Sequence, residues 1–319
     1  MNTELFNYAE RIIAYIDILG FKEYIETTVS NGKQGELYRI LFKFKDLANT
    51  SLLKRPDRNS THFSDLIVIS CLPDRLSLID LLSDLQELAH SFIESKLLLR
   101  GVIIKGEIVH QNGIIFGPAL IDAYLIEKDK VIFPRIIIDK EIVREFKLEE
   151  ATKSYFTKER ILTIDPFDNE YFINYFQKYI EPNTDVKNTL NGYYYNYRWN
   201  IVNNGTKVNY VVKNRNRYII ENFRGWSNWH KQYPLDLIAN VENLLESSDS
   251  QNGVFVETFW NIINNGLKNS NARVKEKYKW MLNWHNHYLQ NWIADIENNF
   301  KLSDSLQQKI DLLKFRFNM

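Results

Sequence analysis

Residues 11–21 read Arg11-Ile12-Ile13-Ala14-Tyr15-Ile16-Asp17-Ile18-Leu19-Gly20-Phe21, and the fold turns on how this stretch is read. Arg11 to Ile18 has no turn former and an almost unbroken apolar run, the pattern of a buried strand. One carboxylate, Asp17, stands at the C-terminal end of that run, and Gly20-Phe21 then leads into polar, helix-compatible sequence up to Ser30. A carboxylate in that position is costly to bury unless it meets a cation. The amides of Leu19, Gly20 and Phe21 would point outward at a helix head, which favours a phosphate group.

Downstream, strand and helix signals alternate. Glu36 to Leu53 places Leu37, Ile40, Leu41, Phe44, Leu47 and Ala48 at the three- and four-residue spacing of one helical face. Lys54 to Asn59 reads as a loop, and Thr61 to Leu72 returns to strand character. Ser77 to Leu97 is helical, with Leu78, Leu81, Leu82, Leu85, Leu88 and Phe92 on one side. Leu98 to Val109 and Ile114 to Phe116 flank Gln111-Asn112-Gly113, a strong hairpin signal. Gly117-Pro118 opens a short helix to about Glu127, and Arg135 to Asp139 reads as another strand. The order β-α-α-β-β-α-β-β-α-β predicts an α/β (α+β) sandwich with helices packed on a mostly antiparallel sheet.

A second acid, Asp65, opens the apolar run Leu66-Ile67-Val68-Ile69-Ser70. In an antiparallel hairpin beside the first strand, Asp17 and Asp65 would converge. Two carboxylates and a backbone carbonyl are what paired Mg²⁺ or Mn²⁺ ions need when they bridge substrate phosphates. The alternative is that each acid caps a helix or turn.

Lys and Arg number 40, matched by 40 Asp and Glu, so no global field draws the chain toward nucleic acid or anionic lipid. The single cysteine, Cys71, excludes an intramolecular disulfide framework and reads as a small buried hydrophobe. Neither a secretion signal nor an apolar run of about 18 residues is evident, so a cytoplasmic protein without a membrane span is expected. All seven tryptophans lie at or beyond Trp199. Arg160 to Ile164 and Glu170 to Phe176 read as the last strands of a domain over 1–180, with Glu181-Pro182-Asn183-Thr184 as its boundary. The rest, 181–319, reads as an aromatic-rich, mainly helical module. It has a turn at Val202 to Thr206, helical pattern from Pro234, and an apolar face over Lys275 to Glu297.

Asp17 and Asp65 in these contexts resemble the two metal-binding aspartates of class III nucleotide cyclases. Leu99-Arg100-Gly101-Val102-Ile103-Ile104-Lys105-Gly106-Glu107-Ile108 is similar to that family's strand before its hairpin. Gly117-Pro118-Ala119-Leu120-Ile121-Asp122-Ala123-Tyr124-Leu125-Ile126-Glu127 is similar to its following helix. The resemblance covers about residues 8 to 140 and implies a ferredoxin-like cyclase sandwich. It further implies two Mg²⁺ or Mn²⁺ ions held by Asp17, Asp65 and the Ile18 carbonyl, a nucleoside triphosphate substrate, and a head-to-tail homodimer with sites at the interface.

The departures carry information too. The family's adenine-selecting lysine falls on Thr61, and its second purine-contacting residue on Pro118. Its ribose-orienting asparagine falls on Ile121 and its transition-state arginine on Leu125. A pocket without those base-selecting groups should not prefer adenine. Among cyclases, the sequence looks like the bacterial pyrimidine cyclases of the Pycsar antiphage systems, which make cyclic CMP or cyclic UMP. Arg100 and Thr61 are then the expected base-binding residues, with Arg100 also a catalytic candidate beside Asp17 and Asp65. Arg135 and Lys105 are weaker candidates for the missing positive charge. The rival expectations are an inactive cyclase fold that senses a nucleotide, a purine cyclase, and a structural module that binds a partner.

Three other patterns carry little. His285-Asn286-His287 spells a nuclease motif but sits in a helical run, where surface histidines are expected. Arg224-Gly225-Trp226-Ser227-Asn228-Trp229-His230 fits a loose ribonuclease spacing common by chance. Tyr193 to Trp199 could stack bases, yet no basic stripe accompanies it, so aromatic packing is expected.

Overall fold

The computed structural model describes residues 7–42, 57–148, 161–175, 251–299 and 304–316. Its first part runs β1 (Ala9–Leu19), α1 (Phe21–Ser30), helical turns over 34–42, β2 (Asn59–Phe63), β3 (Leu66–Cys71), α2 (Arg75–Glu94), β4 (Leu98–Gln111) and β5 (Ile114–Phe116). It continues with α3 (Pro118–Lys130), β6 (Ile136–Ile138), α4 (Lys140–Glu145), β7 (Leu162–Ile164) and β8 (Tyr171–Ile173). Three helices follow in the C-terminal part: α5 (Gln251–Leu267), α6 (Ala272–Asn299) and α7 (Asp304–Arg316).

The strands join in the order β2-β3-β1-β4-β6-β8-β7, with β5 paired to β4 off that path. β4 and β6 are parallel and the other pairs antiparallel. The first four strands, with their helical crossovers, form the split βαββαβ unit of ferredoxin-like folds. β1 is central because both of its faces are apolar: Ile12, Ile13, Ala14 and Ile16 are fully buried. α2 starts where Asp74 accepts hydrogen bonds from the Leu76 and Ser77 amides, and it buries Leu78, Leu81, Leu82, Leu85, Leu88 and Phe92. Each such side chain contributes roughly 1.5–3 kcal/mol on burial. Cys71 is buried in the same core, as its apolar run predicts.

The chain divides into two compact units, one of residues 1–177 with 258–285, the other of 178–257 with 286–319. The first unit thus takes in the end of α5 and the start of α6. Phe259, Ile263, Trp280, Met281 and Trp284 are buried there. Trp280 stacks on Phe133 at 5.2 Å between ring centroids, and Trp284 meets Phe172 edge-on at the same separation. In the described part of the second unit, Glu297 on α6 accepts a hydrogen bond from Lys314 Nζ on α7 at 2.7 Å.

His285 departs from the surface position expected of it. It is buried, stacked 6.0 Å from Phe259 and tilted against Trp260 at 5.6 Å, because it lies one helical turn after Met281 on the face that α6 buries. His287 is exposed and bonds to Asn291. The Glu181–Thr184 boundary, the Tyr193–Trp199 cluster, the Val202–Thr206 turn, the Arg224–His230 pattern and residues 43–53 of the expected early helix lie outside the described residues.

Candidate functional site

Strand register brings three of the sequence-predicted residues, Asp17, Arg100 and Thr61, to one face of the sheet. Asp17 on β1 lies opposite Arg100 on β4 and Leu66 on β3, while Tyr15 lies opposite Val102 and Val68, and Thr61 on β2 opposite Val68. Alternate residues of a strand share a face, so Thr61, Tyr15, Asp17 and Arg100 share this one. α3 crosses it, with the Tyr124 ring edge-on to Tyr15 at 6.5 Å. Gly101, beside Arg100, allows β1 and β4 to approach: a Cβ there would lie 2.4 Å from the Tyr15 carbonyl oxygen.

Arg100 Nε is 2.8 Å from both Asp17 Oδ2 and Glu127 Oε1. The hydrogen bond is directed at Asp17, so Glu127 receives charge without a donor, and its Oε1 has no hydrogen-bond partner among the described residues. The Glu127 side chain is 7% exposed, against 20% for Asp17 and 26% for Arg100. Burial raises the Asp17 pKa, the Arg100 hydrogen bond and charge oppose that rise, and Asp65 reinforces it by its charge and a hydrogen bond between the carboxyls. Burial likewise raises Glu127, with Arg100 opposing and Asp17 reinforcing.

Asp65 occupies the two-residue turn between β2 and β3, with Ser64 at φ 55°. Its carbonyl accepts from the Ile18 N–H at 3.1 Å. Because a strand residue directs its N–H and C=O to the same side, the Ile18 carbonyl also faces the Asp65 turn. Gly20 then takes φ 77°, a left-handed conformation that favours glycine, and swings the chain into α1. No side chain caps α1, so the amides at its head, beginning with Phe21, are open to an anion. Leu19 closes β1 opposite Leu98.

Thr61 points into a separate polar chain. Its hydroxyl is 2.9 Å from His110 Nε2, His110 Nδ1 is 2.8 Å from Ser70 Oγ, and Arg11 Nε donates to the same Ser70 oxygen at 3.0 Å. Burial, with the Arg11 charge, pushes the His110 pKa down to about 4, so the ring is neutral and bonds through both nitrogens.

The two weaker candidates stand elsewhere. Lys105 lies on the opposite face of β4 from Arg100 and pairs with Glu145 at 2.6 Å and Glu10 at 3.5 Å. Arg135 is 2% exposed and held by Asp165 and Asp168. Two residues not singled out from sequence join the acids instead. Glu127 is one, and the other is Lys277 on α6, whose charge acts on Asp17, Glu127 and Arg100.

Among the described residues, no cluster of three His, Cys, Asp or Glu side chains is placed to hold a metal ion. Asp17, Asp65 and the Ile18 carbonyl nevertheless form a set of hard oxygen donors. That set fits Mg²⁺ or Mn²⁺, since Mg²⁺ typically binds through one or two carboxylates and fills its remaining positions with water and substrate phosphate. No helix among the described residues is long and apolar enough to cross a membrane.

Fold and site together define a ferredoxin-like α/β domain with a carboxylate pair and an open helix head at one end of its central strand. Solved structures similar to this chain include an adenylyl cyclase from P. aeruginosa, with 12% identity over 52% of this chain and 94% of that one, at a TM-score of 0.35. An adenylate/guanylate cyclase/hydrolase from Silicibacter pomeroyi shows 18% identity over 52% and 95%, at 0.33. A bacterial light-regulated adenylyl cyclase shows 16% over 54% and 94%, at 0.34. No protein-family model matches the chain, and no curated protein matches it in sequence.

Proposed function

We propose that the chain is a nucleotide cyclase that converts a pyrimidine ribonucleoside triphosphate, CTP or UTP, into its 3′,5′-cyclic monophosphate and pyrophosphate. The observation that carries this reading is the meeting of Asp17 and Asp65 on a half-buried sheet face, next to the uncapped head of α1. The carboxylates and the Ile18 carbonyl would hold divalent ions, and the amides from Gly20 and Phe21 onward would take the phosphates. Divalent ions held there would acidify the ribose 3′-hydroxyl and offset charge on the departing pyrophosphate. In the reaction the 3′-oxygen bonds to the α-phosphorus, the bond from that phosphorus to pyrophosphate breaks, and the hydroxyl proton passes to solvent.

Pyrimidine preference is supported by Thr61 and Pro118 standing where purine-selecting groups would be. A homodimer is supported by Phe63, Ile121, Tyr124 and Leu125, which are 77%, 61%, 46% and 46% exposed on or beside this face. The resemblance to Pycsar cyclases extends the proposal to a second messenger in antiviral defence. One observation favours a second reading, a nucleotide sensor without turnover: Arg100 already neutralises Asp17.

The test is incubation with Mn²⁺ and each of the four ribonucleoside triphosphates, following cyclic product and pyrophosphate, beside Asp65→Ala. Cyclic CMP or cyclic UMP from the wild type, reduced about a hundredfold or more in the variant, is the expected result. Binding without product would favour the sensor.

A further inference from the structure

We propose that Lys277, carried on α6 from outside the ferredoxin-like core, is a substrate-binding residue of the acid site whose ammonium contacts the nucleotide's triphosphate. The inference rests on the cyclase reading for the identity of the substrate. Its geometry rests on how α6 is fastened. Trp280 Nε1 donates to Asp165 Oδ2 at 2.7 Å, its ring is stacked on Phe133, and Met281 and Trp284 are fully or almost fully buried. Residues three and four apart share a helix face, so Lys277 lies one turn before Trp280 and Met281 on the face that packs against the domain.

The surroundings of Lys277 are charged. Burial lowers its pKa, the Arg100 and Arg273 charges lower it further, and Asp17 and Glu127 oppose them. Among the described residues it nevertheless makes no hydrogen bond or ion pair. Close by, Glu127 Oε1 is buried without a donor. A half-buried cation without a hydrogen-bonded partner, near a carboxylate with an unsatisfied oxygen, is costly unless a ligand completes the group. The ligand that suits it is polyanionic, because an ammonium is a point charge well matched to phosphate oxygens. The Lys277 ammonium would supply positive charge to a site in which Arg100 is committed to Asp17 and Glu127.

The test compares wild type with Lys277→Ala, Lys277→Met, which keeps the apolar stem, and Lys277→Arg, with melting temperatures recorded for each. If the wild type forms cyclic product, the Ala and Met variants should lose about 10- to 100-fold in kcat/KM, mainly through KM, while Arg retains most of it. Loss of less than twofold in Ala and Met, with the fold intact, overturns the proposal. If the wild type cyclises no triphosphate, the cyclase reading fails, and titration with inorganic tripolyphosphate still decides the role of Lys277. Weaker binding in Ala and Met than in wild type and Arg supports the contact; equal binding, or none by any of them, overturns it.

Discussion

Two arginines of the first unit are each held between two acids, and they differ in what surrounds them. Arg135 sits between Asp165 and Asp168 and is 2% exposed. Three rings, Phe133, Phe172 and Trp280, place their centroids 5.3–5.8 Å from its guanidinium. Trp280 adds a hydrogen bond to Asp165, which has no exposure at all. Arg100 sits between Asp17 and Glu127 with about a quarter of its side chain open, on a face that α3 only partly covers. The Arg135 guanidinium and Asp165 are buried, although Asp168 reaches solvent and Arg135 Nε has no hydrogen-bond partner among the described residues. Arg100 and Asp17 are partly open to solvent, and beside them the buried Glu127 Oε1 has no donor among the described residues. One arginine between two acids is therefore shut into an aromatic shell while the other stays partly open on a sheet face, and burial is what separates them.

The largest effect is expected at Arg135. Arg135→Met leaves Asp165 buried without its cation, and breaking a buried pair in this way costs about 3–5 kcal/mol. Denaturant unfolding should show that loss. A change below about 1 kcal/mol would mean that the cluster is not a clamp. Asp168 sharpens the point. Burial pushes its pKa up, but hydrogen bonds from Arg135 and the Glu170 amide and the charges of Arg135 and Lys140 outweigh this and hold it low.

His110 is a buried polar device without a net charge, and its effect should be smaller and dependent on pH. The unfolded chain protonates this histidine below about 6.5, whereas the folded protein does so only below about 4. Between those values the unfolded state binds more protons, so stability falls as pH drops from about 6.5 to about 4 and is fully present above that window. His110→Gln removes this contribution and costs about 1–2 kcal/mol at neutral pH through its lost hydrogen bonds to Thr61 and Ser70. Paired unfolding curves at pH 5 and pH 7 should converge for the variant and stay apart for the wild type. Parallel curves would mean that the ring is protonated in the fold.

Much of the first half was legible because its signals are local. The apolar run before Asp17 marks a central strand, the leucine stripe marks α2, and Asn112-Gly113 marks the β4–β5 hairpin. Asp17 and Asp65 stood out because each interrupts an apolar strand at its end. The remainder depends on long-range contacts. Nothing near Lys277 signals that its charge will be felt by Asp17 so far back in the chain, and Arg135 gives no hint that Asp165 and Asp168 will enclose it. α4 has six residues, too few to show a period. His285 is a different case, since its four-residue spacing from Met281 already placed it on the buried face.

Arg100→Met is the smallest expected effect and the one that separates competing roles for this residue. A partly exposed pair contributes little, and water can take over for the guanidinium at Asp17, so the stability change should stay within about 1 kcal/mol. The deficit should grow with pH. Asp17 and Glu127 both ionise less readily than ordinary carboxyls, and without Arg100 their charges on the folded chain are less well opposed as pH rises. Mn²⁺ should then stabilise the variant more than the wild type, because the ion no longer competes with Arg100 for Asp17 Oδ2. Thermal melts with and without Mn²⁺ measure this directly. If Arg100 instead serves only to recognise the base, the response to Mn²⁺ alone will match wild type, and the change will appear only in the choice among nucleotides.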